Sequence, residues 1–188
     1  MDYNYYILKI RYWKLKGAIA VDAVLQRCSV REYMNKAVPE ELFYELLEAG
    51  MCAPSAGNER PWHFIVITER SLLEGITGFH AHSQMLKQAP AAIIVCADMN
   101  RDKYPGVGYW IQDCAAATEN ILIAAQDKGL GTCWLGVYPR ENRVAGMRKL
   151  LKLPDHMIPF SAIAVGYPAA VKSPGIRYDE SRVHLNRW

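Results

Sequence analysis

The longest helical pattern in the chain runs from Tyr109 to Lys128, about 20 residues. Along it, apolar or small residues recur at the three- and four-residue spacing of one helix face, at positions 111, 114, 115, 118, 121, 122 and 125. The many alanines, at 115–117, 124 and 125, allow other elements to pack closely on both sides. We therefore expect Tyr109–Lys128 to be the central helix of the domain.

Shorter patterns around this helix predict further helices and three or four strands. Pro39, followed by Glu40 and Glu41, is a favourable helix start, because proline suits the first turn and carboxylates suit its positive end. The predicted helices are Ala18–Gln26, a segment beginning at Pro39 and Glu141–Leu151, and the predicted strands are Phe64–Ile67, Ala91–Ala97, Thr132–Gly136 and Ile158–Val165. Residues 69–90 are expected to form short helices and loop. Helices interleaved with strands indicate an α+β or three-layer domain.

Residues 1–17 differ from the rest of the chain. They carry the whole net charge of +3 and several aromatic residues, whereas the remaining residues are neutral. We expect a peripheral N-terminal extension; an extra strand, a membrane-surface contact or an added leader are the alternatives. Residues 18–188 show no linker and are expected to form a single domain. A neutral body gives no electrostatic reason to expect a nucleic-acid partner.

Composition also bears on location. The longest unbroken apolar run, Ala89–Ala97, has nine residues and is too short to span a bilayer, so no membrane partner is expected. The N-terminus lacks the layout of a secretory signal. None of the five cysteines has C-x-x-C spacing, and Cys96 and Cys114 lie in apolar-periodic runs. A reduced, cytoplasmic protein fits these features.

Two polar segments are candidates for ligand binding. The loop Ala53–Trp62 combines small residues with Asn58, a donor and acceptor, and stands between two apolar elements. Arg27 and Arg31 flank Ser29; if this segment forms a helical turn, both guanidinium groups could face one phosphate. The alternatives are an ordinary helix-to-strand connection and two solvated surface arginines.

The order of several motifs makes the chain similar to a known family. They are Arg27-Cys-Ser-Val-Arg-Glu-Tyr33, Val38-Pro-Glu40, Ala53-Pro-Ser-Ala-Gly-Asn58 with Pro61-Trp62, Gly129-Leu-Gly-Thr-Cys-Trp-Leu-Gly136, Ala164-Val-Gly-Tyr-Pro168, and the tail residues Arg177, Val183-His184 and Asn186-Arg187-Trp188. Over about residues 20–188, this sequence resembles the nitroreductase-like FMN-dependent oxidoreductases. The resemblance implies a three-layer α/β/α sandwich with a mostly antiparallel central sheet, and an intertwined homodimer whose subunits share each FMN site.

The resemblance also assigns residues to that site. It implies that Arg27, Cys28, Ser29 and Arg31 hold the phosphate, the ribityl chain and the pyrimidine edge, and that Pro54, Ser55 and Asn58 come from the partner subunit. Leu135 and Gly136 would lie along the flavin face, with a backbone N–H near N5. Arg177, or alternatively Lys172, would complete the phosphate site. Two residues depart from the family pattern. Arg60 stands where a glutamine commonly precedes Pro-Trp, and Cys28 stands where a basic residue is more common.

The implied activity is NAD(P)H oxidation by a ping-pong reaction. NADH or NADPH gives a hydride to FMN N5, and a small organic acceptor, such as a nitroaromatic or a quinone, then takes the electrons from the same face. No catalytic side chain and no metal are expected, because the cofactor supplies the chemistry. The alternatives are a non-catalytic FMN-storage or redox-sensing protein, and a flavin-dependent dehalogenase or enone reductase on the same fold.

His80 and His82 form an H-x-H pair whose role the sequence leaves open. On a strand both would face one side as metal ligands, but no cysteine lies nearby. The alternative is a gate over the substrate pocket formed by Thr77–Gln84. The aromatic segment Tyr104–Tyr109 is a second candidate gate, or else part of the core or an interface.

Overall fold

The computed structural model describes residues 19–170, 174–175 and 177–188 of the 188-residue chain. The predicted extension at residues 1–17 lies outside these described residues, as does Lys172. The helices are α1 (Ile19–Gln26), α2 (Glu40–Met51), α3 (Arg70–Thr77), α4 (Tyr109–Asp127) and α5 (Glu141–Leu151), and the strands are β1 (Trp62–Ile67), β2 (Ala91–Asp98), β3 (Gly131–Gly136) and β4 (Met157–Gly166). None of these helices has the length and apolar character needed to cross a bilayer.

The four strands form one sheet in the order β1-β2-β4-β3, and all three pairings are antiparallel. Strands β1 and β3 are therefore its two edges. On the free side of the edge strand β3, Ser29 forms a parallel bridge with Thr132 of that strand, and the Val30 N–H donates to the Thr132 carbonyl at 2.8 Å. The predicted mostly antiparallel sheet is confirmed.

Helices cover both faces of the sheet. Alternate residues of β2 point to opposite layers: Ile93 and Val95 pack with α2 and α4, whereas Ile94 and Cys96 pack with α3 and α5. All four side chains are fully buried, which accounts for the continuous apolar run in this strand. The predicted three-layer α/β/α sandwich is confirmed.

Helix α4 is the central helix, as its alanine-rich pattern predicts. Gly50 of α2 approaches it so closely that a Cβ there would lie 3.0 Å from the Ile121 side chain. The helix ends before Gly129, whose φ of +72° is the left-handed conformation that stops a helix. Cys114 on α4 and Cys96 on β2 are fully buried. Burial raises the pKa of both thiols, to about 12 for Cys96, so they behave as small apolar residues.

A β-bulge in β4 shapes the end of the sheet near Gly136. Val95 is paired with Ser161 and Cys96 with Pro159, so Phe160 is the extra residue. The bulge lets Phe160 join the core beneath α4 while the Ser161 hydroxyl contacts that of Thr118 at 3.0 Å. The Phe160 carbonyl also accepts hydrogen bonds from two backbone N–H groups just beyond β3, which fixes where the chain leaves this strand.

Candidate functional site

Arg27 closes the end of α1, where its N–H donates to the Ala23 carbonyl at 2.9 Å, and from Ser29 the segment lies alongside β3. The arrangement considered from the sequence, a helical turn with both guanidinium groups at one phosphate, is not found. Because Ser29 is bridged to Thr132 in parallel, Arg27 lies toward the start of β3 and Arg31 toward its end. Four residues of extended chain span about 13 Å. The two arginines therefore lie toward opposite ends of β3, and do not converge on one anion.

Arg27 and Arg177 meet near the start of β3. An Arg177 guanidinium nitrogen donates to the Arg27 carbonyl oxygen at 3.0 Å, although the two residues are 150 positions apart. The Arg27 side chain in turn forms an ion pair with Glu119 on α4 at 3.3 Å. The tail thus returns to the segment as the resemblance implies. Sequence reasoning did not identify Glu119 as a neighbour of this cationic end.

A cavity of about 450 Å³ lies at the other end, beside the end of β3. Its lining residues are Arg31, His80, Ala81, His82, Gln84, Met85, Cys133, Trp134, Leu135, Gly136 and Arg143. Its volume is in the usual range for small-ligand sites. The cavity brings together Arg31, Leu135 and Gly136 from two distant segments, and the described residues that line it include two arginines and no carboxylate.

No packing contact among the described residues requires a glycine at position 136. A Cβ added there would meet nothing within 4 Å, and the residue is exposed. Gly131, on the same strand, is different: a Cβ there would lie 2.8 Å from the Val30 side chain. The missing side chain at Gly136 leaves bare backbone facing open space, which suits the stacking of a flat ring such as that of FMN.

The carbonyl oxygen of Gly136 is held by two side chains that sequence reasoning did not connect with it. His80 Nε2 lies 3.0 Å away, and Arg143 donates from Nη1 at 2.7 Å. His80 is only 2% exposed. Burial, with a smaller contribution from the Arg143 charge, lowers the pKa of His80. Because a carbonyl oxygen can only accept, Nε2 is the donor in this contact. Its buried Nδ1 has no partner among the described residues.

The metal interpretation of the H-x-H pair has no support in the structure. Residues 79–83 form turns and not a strand, so His80 and His82 do not share a strand face. In the part of the chain that the structure describes, no group of three or more potential metal ligands occurs. The segment borders the cavity, and its role as a gate stays a prediction.

The loop Ala53–Trp62 leads into β1, whereas the cavity lies beside β3 at the opposite edge of the sheet. Three strand spacings amount to about 14 Å. Pro54, Ser55 and Asn58 consequently do not line that cavity within one chain. Arg60 is one of the two residues that depart from the family pattern. It donates from its backbone N–H to Ser55 Oγ at 3.0 Å and from Nε to Asn58 Oδ1 at 2.8 Å.

Buried acidic groups anchor this loop. Asp113 of α4 accepts a hydrogen bond from the Ala56 N–H at 3.0 Å, and Glu59 accepts one from the Lys103 N–H at 2.9 Å. The loop also contacts the aromatic segment: a Cβ at Gly57 would lie 2.7 Å from the Tyr104 hydroxyl. Sequence reasoning selected neither Glu59 nor Asp113, because Glu59 is one polar residue of a loop and Asp113 one residue of a helical pattern.

Comparison with known proteins shows the family to which the chain belongs. The family model described as Nitroreductase family matches residues 24–81 and 78–167. A Methanothermobacter thermautotrophicus protein named "Putative NADH dehydrogenase/NAD(P)H nitroreductase" is 51% identical over 177 residues, covering 93% of this chain and 91% of its own. A crystal structure of a Bacteroides thetaiotaomicron protein of the same name superimposes with a TM-score of 0.86 at 42% identity, covering 92% of this chain and 99% of that one. An FMN-dependent nitroreductase from Clostridium difficile gives 0.82 at 28% identity, with 89% and 99% covered. The chain belongs to the nitroreductase family.

Proposed function

We propose that the protein is a cytoplasmic, homodimeric FMN-dependent NAD(P)H oxidoreductase that reduces a small organic acceptor, such as a nitroaromatic or a quinone. The observation that carries this proposal is the cavity joining Arg31, Leu135 and Gly136, in which the missing Gly136 side chain leaves a flat backbone surface. The names of similar proteins, which include an FMN-dependent nitroreductase, agree with it. The buried thiols of Cys114 and Cys133, neither in a disulfide, support a reducing compartment.

The phosphate of FMN would bind at the end of the site where Arg27 and Arg177 meet. Phosphate carries nearly two negative charges at neutral pH, and arginine can contact two of its oxygens at once. The Ser29 hydroxyl and the backbone around Cys28 add hydrogen-bond donors along the extended segment. The ion pair with Glu119 orients the Arg27 guanidinium at this end.

The flavin ring would occupy the cavity. Arg31 lies where it can stabilise negative charge on the pyrimidine edge, and Gly136, next to Leu135, offers the backbone face on which the ring rests. When bound, FMN supplies the redox chemistry, taking a hydride from NAD(P)H and passing electrons to the acceptor in ping-pong order. The residues of this chain bind, orient and shield the ring, and none needs to act as a base.

A second copy of the chain would complete the site. Pro54, Ser55 and Asn58 lie at the far edge of the sheet from the cavity, so they can serve the flavin held mainly by the partner subunit. Two exposed apolar surfaces support a dimer. One is a groove of about 480 Å³ between α1, α2 and α4. The other is the tail, where Leu185 is 78% exposed and Trp188 is fully exposed.

The colour of the purified protein tests this proposal directly. A yellow protein, or one that takes up added FMN, is expected, and NADH or NADPH should bleach it under anaerobic conditions. A protein that is still colourless after incubation with excess FMN and removal of the unbound flavin would refute the FMN proposal. A yellow protein that neither nucleotide bleaches would instead be a flavin-storage or redox-sensing protein.

A further inference from the structure

We propose that His80 and Arg143 are positioning residues for the flavin ring. Both bind the carbonyl oxygen of Gly136, and so fix the backbone against which the ring would rest. This inference rests on the proposed function, because it concerns the same cavity.

The peptide unit joining Gly136 to Val137 is held at both of its polar ends. Its carbonyl oxygen accepts from His80 at 3.0 Å and from Arg143 at 2.7 Å, while its N–H donates to the Phe160 carbonyl at 3.1 Å. Glycine has the greatest backbone freedom of any residue, and Gly136 is the last residue of β3. The two side chains therefore restrain the carbonyl end of this peptide unit, while the hydrogen bond to β4 restrains its N–H end.

The two donors come from different elements that are packed rigidly together. His80 follows α3, and Arg143 lies in the first turn of α5. These helices belong to the same layer of the sandwich. Gly146 of α5 faces the ring of Phe79 so closely that a Cβ at this glycine would overlap it. The packing of the Phe79 ring against Gly146 thus sets the position of His80 relative to α5, and hence to Arg143.

Packing alone does not account for a histidine at position 80. The side chain is almost completely buried, yet its Nδ1 has no partner among the described residues. A buried polar atom without a partner destabilises the fold, and an apolar side chain would avoid that cost. The group that histidine contributes here is its Nε2–H donor, and the acceptor is the carbonyl of Gly136.

The test compares His80→Leu with His80→Gln, because the glutamine amide can donate from nearly the position of Nε2. His80→Leu should raise the Kd for FMN about 3- to 10-fold, the usual effect of losing one hydrogen bond. It should also change the visible circular dichroism of the flavin at saturating FMN. His80→Gln should restore both properties. His156→Leu is the matched control, since this histidine is exposed and lies outside the cavity lining.

The outcomes separate this inference from the proposed function. If the wild-type protein does not bind FMN, the proposed function fails. If it binds FMN and His80→Leu matches it in Kd and dichroism, the inference is overturned and the proposed function stands. Lower thermal stability with unchanged Kd and dichroism overturns it too, since His80 would then be purely structural. Should His80→Leu not fold, Arg143→Gln with Arg140→Gln as control provides the same comparison.

Discussion

The carboxyl groups of Glu59 and Asp113 are buried neighbours at the loop Ala53–Trp62. One oxygen of each anchors the backbone, at Lys103 and Ala56 respectively. The other two oxygens have no donor among the described residues. Burial, with a smaller contribution from Glu59, raises the pKa of Asp113 to about 6. A proton on Asp113 would supply the donor that both remaining oxygens lack.

This pair predicts a pH-dependent stability. The pKa of Asp113 is raised from 3.8 to about 6, so between these values the native state binds more protons than the unfolded state. The contribution of Asp113 to the free energy of unfolding therefore falls as the pH rises through this window. Asp113→Asn can donate to Glu59 at any pH, and should be more stable than wild type at pH 8 by about 1 kcal/mol.

Urea denaturation across pH 4 to 8 measures the effect. The advantage of Asp113→Asn should disappear toward the acidic end, where the wild-type carboxyl group is itself protonated. Asp155→Asn is the control, because Asp155 is exposed and forms an ion pair with Arg148 at the surface. A difference between Asp113→Asn and wild type that is constant over this pH range would contradict a titrating pair.

Two glycines of β3 predict opposite effects of the same substitution. Gly131→Ala places a Cβ 2.8 Å from the Val30 side chain, and should lower the free energy of unfolding by about 1–3 kcal/mol. Gly136→Ala meets nothing within 4 Å, so the fold should keep its stability while the ring loses its flat support. FMN should then bind about tenfold more weakly. Thermal denaturation and FMN titration of both variants check this, and normal FMN binding by Gly136→Ala would contradict it.

Local patterns predicted the fold well because its elements are strongly periodic. The alanine-rich face of α4 and the apolar run of β2 identified the central helix and a strand buried on both faces. The β-bulge at Phe160 was not predicted, because it depends on the pairing of β4 with β2 and leaves no signature in either strand alone. The course of the arginine segment alongside β3 was missed for the same reason, since it is fixed by contact with that strand.

Site residues were predicted where a motif carries them and missed where only the fold brings them together. Arg31, Leu135 and Gly136 belong to recognisable segments, and the structure places them in one cavity. The contact of His80 with Gly136 joins residues 56 positions apart through one side chain and one backbone carbonyl. No spacing in the sequence encodes such a contact. The same holds for Asp113, which is one residue among many in a helix.

Substitution of Arg177 tests the proposed phosphate-binding end of the site separately from the ring-binding cavity. Arg177→Met removes a cation whose guanidinium lies beside the Arg27 backbone, so FMN should bind roughly 10- to 100-fold more weakly, the effect of losing a charged hydrogen bond. Riboflavin, which lacks the phosphate, should bind as it does to wild type. Titration with both ligands measures this. Arg182→Met, which removes another tail arginine, is the control. If Arg177→Met weakened riboflavin binding as much as FMN binding, Arg177 would not act at the phosphate.

The proposed sharing of each site between two subunits predicts complementation between two defective chains. Arg31→Ala damages the cavity, and Asn58→Gly removes the loop amide while glycine tolerates the φ of +53° found there. Each homodimer should fold yet bind FMN poorly. In a heterodimer of the two variants, one site combines the intact arginine segment of one subunit with the intact loop of the other.

That heterodimer, purified with two different affinity tags, should bind one FMN per dimer with nearly wild-type affinity, because the second site carries both defects. FMN titration and absorbance give the stoichiometry. If each site were built from one chain only, both sites of the heterodimer would be defective and no tight binding would return. A heterodimer without FMN would therefore contradict the shared site, while FMN binding by the wild-type protein would still support the oxidoreductase proposal.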